Sequence, residues 1–158
     1  MSTRLAITLG DPNGIGPEVL LKCLHDPDLT PSMAPLVIGS AHVLRVHADA
    51  LGYADLQIHA VDEMPAEIPG QGVTVLDVTG GAAPDVVFGA VTEEGGTLAM
   101  DAVDRAVDAC IDGDVEAMVT APISKDAISK AGYNVPGHTE FIARKTGGLQ
   151  PTMMMVAG

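Results

Sequence analysis

Leu5-Ala-Ile-Thr-Leu-Gly-Asp-Pro-Asn-Gly-Ile-Gly-Pro-Glu18 passes from an apolar run through a turn rich in glycine and proline into the start of a helix. An apolar run so bounded reads as a buried strand, here Arg4–Gly10. Pro17 suits the first helical position, where its missing N–H costs nothing, and Glu18 lies near the positive end of the helix dipole. Val19, Leu20, Cys23 and Leu24 form the expected buried stripe, and the helix should end before Pro27. A strand that leads through a tight loop into a helix is the βα unit from which parallel sheets are built.

The unit recurs along the chain. Leu36–Gly39, Leu56–Val61, Val73–Val78 and Glu116–Thr120 read as strands, Ala41–Ala50 and Glu93–Ile111 as helices, and the stretch from Gly80 to Thr92 as irregular. In the long helix Leu98, Ala99, Ala102, Val103, Ala106, Val107, Cys110 and Ile111 recur at helical spacing, while Gly95-Gly96 predicts a weak first turn. Ser124 can cap a helix through Ala131 that Gly132 closes, and Thr152–Val156 reads as a further buried strand. The expected fold class is α/β, with a mostly parallel sheet covered on both faces. No repeat, low-complexity tract or linker marks an internal boundary, and an end at Gly158 directly after an apolar strand suggests an interrupted fold.

Composition narrows the function classes. The 158 residues are 47% hydrophobic with mean hydropathy +0.29, enough to bury a core. A net charge of −13 and a pI near 4.4 exclude nucleic acid as an expected partner, because binding a phosphate backbone needs clustered Lys and Arg. Leu5–Leu9 is too short to span a bilayer, so no membrane partner is expected. Cys23 and Cys110 lie in helical patterns and no secretory leader is visible, which points to a reducing cytoplasm.

Charge is nevertheless uneven. Of eight Lys and Arg residues, four (Lys125, Lys130, Arg144 and Lys145) flank His138, so a local positive field or a pair of solvated helix faces is expected there. His138 itself lies in Val135-Pro-Gly-His-Thr-Glu-Phe141, where Pro136 and Gly137 bend the chain and Thr139 can cap a helix from Glu140 toward Thr146. An imidazole beside a hydroxyl at a helix N-terminus suits an anionic, hydroxylated ligand; the alternative is a plain capped helix with a solvated histidine.

Two other loops invite the same question. Gly10–Glu18 fits neither a Walker A loop, which needs Lys and Ser or Thr where Pro17 and Glu18 stand, nor a dinucleotide GxGxxG begun at Gly14, which needs glycine at Val19. It either approaches a phosphate by another route or is a stiff βα turn that holds Asp11 and Asn13 for backbone bonding. In Val119-Thr-Ala-Pro-Ile-Ser-Lys125 the chain leaves a strand's carboxyl end, where open α/β sheets place ligands, so Thr120, Ser124 and Lys125 are candidate contacts. Lys125 can serve as a point charge for phosphate or simply as a surface lysine. His25, His42, His47, His59 and His138 are scattered, no CxxC pair exists and Gly-x-Ser-x-Gly is absent, so neither a metal site nor a serine triad is assembled.

The segments Ile7–Glu18, Val119–Lys125 and Pro136-Gly-His-Thr-Glu-Phe141, taken in order and followed by Met153-Met-Met-Val156, resemble the 4-hydroxythreonine-4-phosphate dehydrogenase family of vitamin B6 biosynthesis. The resemblance implies a three-layer α/β/α architecture of the isocitrate/isopropylmalate dehydrogenase-like type, with residues 1–158 forming the N-terminal half of a two-lobed dehydrogenase. It implies oxidation of 4-phosphohydroxy-L-threonine with NAD or NADP to a β-keto acid that decarboxylates. It also implies a small phosphorylated substrate bound by His138 and Thr139, and a homodimer with active sites shared between subunits. A divalent metal (zinc, magnesium or cobalt) is implied too, with ligands expected beyond Gly158; no catalytic residue is assigned within this chain. The rival expectations are a related dehydrogenase of a phosphorylated sugar acid or a dihydrodiol, and a non-catalytic ligand-binding fragment.

Overall fold

A computed structural model describes residues 3–26, 33–69, 72–148 and 150–156. The order is β1 (Thr3–Thr8), α1 (Gly16–His25), β2 (Met33–Gly39), α2 (Ala41–Ala50), β3 (Ile58–Val61), β4 (Val73–Asp77), α3 (Glu93–Ile111), β5 (Ala117–Thr120), α4 (Lys125–Lys130) and α5 (His138–Lys145). The strands form one parallel sheet in the order β3-β4-β2-β1-β5. Pleating sends alternate residues to opposite faces, so each strand serves two cores. Leu9, Val37 and Val75 pack with Leu20 and Leu21 of α1 and Val43 and Leu44 of α2, whereas Ala6, Leu36, Ile38 and Leu76 pack against Ala102, Ala106 and Ala109 of α3. The expected α/β class with helices on both faces is what the chain forms.

Several local expectations need correction. On α1 the buried residues are Gly16, Pro17, Leu20 and Leu21, while Val19 is 45% exposed and Cys23 is exposed. Two stripes at three- and four-residue spacing overlap in this apolar helix, and packing against the sheet selects the one with Leu20 and Leu21. Pro27 itself lies outside the described residues. Ile111, on the last turn of α3, is exposed because the helix has run past the sheet.

The Gly95-Gly96 pair lies in the formed and capped first turn of α3. Thr92 caps the helix by accepting the Gly95 N–H at 3.0 Å, and Gly96 is where α4 crosses: a Cβ there would lie 2.1 Å from the Ala127 carbonyl oxygen. Close packing of two helix backbones, not weak propensity, explains the residue. Ser124 caps α4 as expected, accepting from Ala127 N–H at 3.2 Å.

Thr152–Val156 is the clearest departure. These residues form no strand, and Met153, Met154, Met155 and Val156 are 81–96% exposed. An apolar strand needs a neighbour for its backbone and a face for its side chains, and among the described residues this segment has neither. The outer edge of β5 is likewise unpaired, with Val119 of that strand exposed.

Candidate functional site

The sheet changes direction at β1. From it α1 leads to β2 on one side, and α3 returns from β4 to β5 on the other. Open parallel sheets bind ligands beyond the carboxyl ends of the strands at such a switch point. Here those ends carry the Gly10 loop and the Ala121-Pro122 turn, and the structure ties the two together. The Asp11 N–H donates to the Pro122 carbonyl at 3.0 Å, and the Ala121 N–H donates to Thr8 Oγ1 at 3.3 Å. Gly10 has φ +77°, and a Cβ on it would stand 2.4 Å from the Pro122 oxygen. This glycine serves the contact between loops.

The polar groups of the Gly10 loop are spent inside the protein. Asp11 Oδ1 accepts from Asn13 N–H at 2.9 Å; the Asn13 amide donates to Thr92 Oγ1 at 2.9 Å and accepts from Val87 N–H at 2.8 Å. His47, 4% exposed, bonds the Pro12 carbonyl through Nε2 at 2.8 Å and meets the Phe88 ring edge-on at 4.9 Å. The internally bonded βα turn, one of the two readings of this loop, is formed at Asp11 and Asn13. The anchoring by His47 and Thr8 was not legible in the sequence, because neither residue is near its partner along the chain.

His138 joins the same corner. Its Nε2 lies 3.2 Å from the Ala121 carbonyl oxygen, so the loop tied to β1 also holds the imidazole. The ring is partly buried, and that burial lowers its pKa below the ordinary histidine value, with the bond to Ala121 opposing. Thr139 sits on the first turn of α5, exposed. It is not the cap: α5 begins at His138, Gly137 occupies the capping position in extended conformation, and Phe141 N–H closes the first turn onto the Gly137 carbonyl at 3.3 Å. The hydroxyl expected to cap the helix therefore stays free of that task.

The expected positive field is offset by carboxylates at Lys145 alone. Lys145 bridges Asp104 at 2.6 Å and Asp108 at 2.7 Å; burial would lower its pKa, but the two carboxylates outweigh burial and raise it. Lys130 donates to the Val91 carbonyl at 2.9 Å and Arg144 to the Asn134 carbonyl at 3.1 Å. Among the described residues only Lys125 of the four has no partner; it is exposed at the start of α4. The other basic side chains are fasteners for α4 and α5, a task shared by the Tyr133 hydroxyl, which donates to Asp101 at 3.3 Å. Burial raises the Asp101 carboxyl, with the tyrosine bond opposing.

Several cavities surround this corner, and one of about 380 Å³ is lined by Asn13, Gly14, Ile15 and Glu18 together with His47 and Phe88. One of about 410 Å³ opens between the end of β4 and the start of α3, with Glu93, Glu94 and Asp101 on its wall. Another of about 490 Å³ is lined by Tyr133, Asn134, Phe141 and Arg144. None of these cavities is lined by His138, which is partly buried, or by Thr139, which is exposed. Among the described residues no group of His, Cys, Asp or Glu side chains is arranged to hold a metal ion. No described helix is long and apolar enough to cross a membrane.

An open parallel sheet with the loops after β1 and β5 gathered at a switch point places the chain among the open α/β proteins. More narrowly, residues 31–158 match the family described as pyridoxal phosphate biosynthetic protein PdxA, and the chain belongs to that family. It is 36% identical over 143 residues to a 4-hydroxythreonine-4-phosphate dehydrogenase of Trichlorobacter lovleyi, covering 89% of this chain and 42% of that one. It is 36% identical over 154 residues to a D-threonate 4-phosphate dehydrogenase of Cupriavidus necator, covering 97% and 46%. The crystal structure of a 4-hydroxythreonine-4-phosphate dehydrogenase from Burkholderia phymatum is similar with a TM-score of 0.91 at 32% identity, over 99% of this chain and 47% of that one. The chain thus spans about half the length of the curated relatives it matches.

Proposed function

We propose that this chain supplies the first half of a cytoplasmic, homodimeric dehydrogenase that oxidises 4-phosphohydroxy-L-threonine with NAD or NADP in pyridoxal phosphate biosynthesis. The observation that supports it most is the convergence of three separated motifs: the loops after β1 and β5 are bonded to each other, and His138 is bonded to one of them. His138 and Thr139 orient the substrate at the open face, and Lys125 adds positive charge. Orientation of this kind contributes much of an enzyme's rate advantage, because it removes the entropy of aligning the reactants. A bound nicotinamide would supply the hydride acceptor for the carbinol carbon as its oxygen gives up a proton; the ketone would then stand β to the carboxylate, so that carbon dioxide could leave and the resulting enolate take up a proton.

The described residues do not form a donor set for the divalent metal, whose ligands this reading expects beyond Gly158, and no step here depends on it. The decisive experiment follows nicotinamide reduction with 4-phosphohydroxy-L-threonine and divalent metal, using this chain extended to the length of its relatives. His138→Ala is expected to lower kcat/KM by about 10²-fold, the scale of a misplaced reactant; an unchanged kcat/KM would remove His138 from the site.

A second reading is supported by the equally similar Cupriavidus relative. In D-threonate 4-phosphate a hydroxyl stands where the phosphorylated threonine carries its amino group, and assaying both substrates side by side separates the two.

A further inference from the structure

Helix α5 is not held by a buried apolar stripe. A surface helix ordinarily turns such a stripe inward, but none of the eight residues of α5 is buried. Its contacts with the rest of the chain come instead from His138, Phe141 and Lys145, which share one face at i, i+3 and i+7. His138 meets the Ala121 carbonyl at 3.2 Å, the Phe141 ring meets Tyr133 edge-on at 6.2 Å, and Lys145 reaches α3. The lysine is the strongest of these ties. Its Nζ lies 2.6 Å from Asp104 Oδ1, 2.7 Å from Asp108 Oδ1 and 2.9 Å from the Asp104 carbonyl oxygen, so three acceptors face the three hydrogens of one ammonium. The lysine side chain is 21% exposed, so water and salt screen these pairs less than they would an open surface pair.

The seat on α3 suits a cation. Asp101, Asp104 and Asp108 lie along one face of that helix at i, i+3 and i+7, and carboxylates so spaced repel one another. The Tyr133 hydroxyl answers the first of them and Lys145 the other two. Hydrogen-bonded ion pairs are directional where apolar burial is not, so this seat fixes the angle of α5 as well as its attachment. Lys145 and His138 stand about 10 Å apart along the helix axis, and a tilt at one end displaces the other.

We propose that Lys145 is a positioning residue: its grip on Asp104 and Asp108 sets the pose of α5 and so aims the first turn of that helix, Thr139 included, at the ligand. The inference rests on the proposed function for what that turn meets, though not for the hold on the helix.

Amide hydrogen exchange and NMR of this chain without ligand test the hold. Lys145→Met keeps much of the side chain's length and removes its charge. It is expected to speed exchange at the α5 amides about tenfold, the scale of losing a charge-assisted bond, and to move the Thr139 amide signal, while α1 and α2 exchange as before. Lys145→Arg, whose guanidinium can face both carboxylates, is expected to restore both readings. Unchanged exchange and an unmoved signal in Lys145→Met overturn the inference and leave the proposed function standing. Should Lys145→Met fail to fold, Asp108→Asn repeats the test from α3 with the same outcomes. The second part measures turnover of 4-phosphohydroxy-L-threonine and D-threonate 4-phosphate by the chain extended to the length of its relatives, at a temperature where every variant is folded. Lys145→Met is expected to lower kcat/KM about tenfold, and Lys145→Arg to restore it. A lysine that only stabilises the fold would leave kcat/KM of the folded enzyme unchanged, and that result overturns the proposal. If the unaltered extended chain turns over neither substrate, the proposed function falls, and the exchange result alone decides the hold of Lys145 on α5.

Discussion

The Gly10 loop and the turn into α5 are both short, polar and punctuated by glycine and proline, yet the fold treats them oppositely. In the first, Asp11 and Asn13 are 5% and 3% exposed and their side chains are bonded to neighbouring backbone and to Thr92. In the second, none of the α5 residues is buried, Thr139 is exposed, and His138 uses one nitrogen on the protein. A group already bonded inside the protein has little left to offer a ligand; a group held at one end and open at the other is oriented and still available. The difference separates scaffold from site more sharply than the motifs themselves do.

The comparison breaks most readily at Gly10. Gly10→Ala must place a side chain at positive φ and against the Pro122 carbonyl, so a loss of about 3 kcal/mol is expected from left-handed strain and overpacking together. Urea unfolding measures it, and a loss under about 1 kcal/mol would mean that the two loops are not locked. Asn13→Ala comes next, at about 2 kcal/mol, because two hydrogen bonds are lost, the Val87 N–H losing its acceptor and Thr92 a donor. An equally stable Asn13→Ala chain would return the loop to the list of open ligand sites.

The smallest effect is expected at the site itself. His138→Gln at pH 7.5 should change stability by no more than about 0.5 kcal/mol, as for a substitution that removes no buried network. Its signature lies in the pH dependence. The ring's folded-state pKa is below its unfolded value, so as pH falls through about 6.5 the unfolded chain takes up the proton first and the native state loses stability; above that window the ring contributes nothing. The native chain should therefore lose more stability between pH 7.5 and pH 5 than His138→Gln does. Identical pH profiles of the urea midpoint would show that the ring is not held neutral.

Much of the fold was legible because hydrophobic periodicity is local: Ala41–Ala50 and Glu93–Ile111 are the helices expected, and all five strands occur where apolar runs predicted them. The misreadings arose where a partner, not the segment, makes the decision. Val19 and Cys23 looked as buryable as Leu20, and the sheet chose Leu20 and Leu21. Lys145 counted toward a positive field until Asp104 and Asp108 of α3 appeared beside it. Thr152–Val156 has strand chemistry but no neighbour among the described residues.

Composition, periodicity and the order of three motifs determined the α/β class, the parallel sheet and the family, since each depends on residue type and spacing along the chain. Tertiary structure alone decided that Asp11 and Asn13 bind inward, that Gly96 admits α4, and that a carbonyl from the loop after β5 holds the His138 ring. Hydrogen bonds and close contacts between segments far apart in sequence depend on which atoms meet, and that is settled only when the sheet brings the loops to one corner.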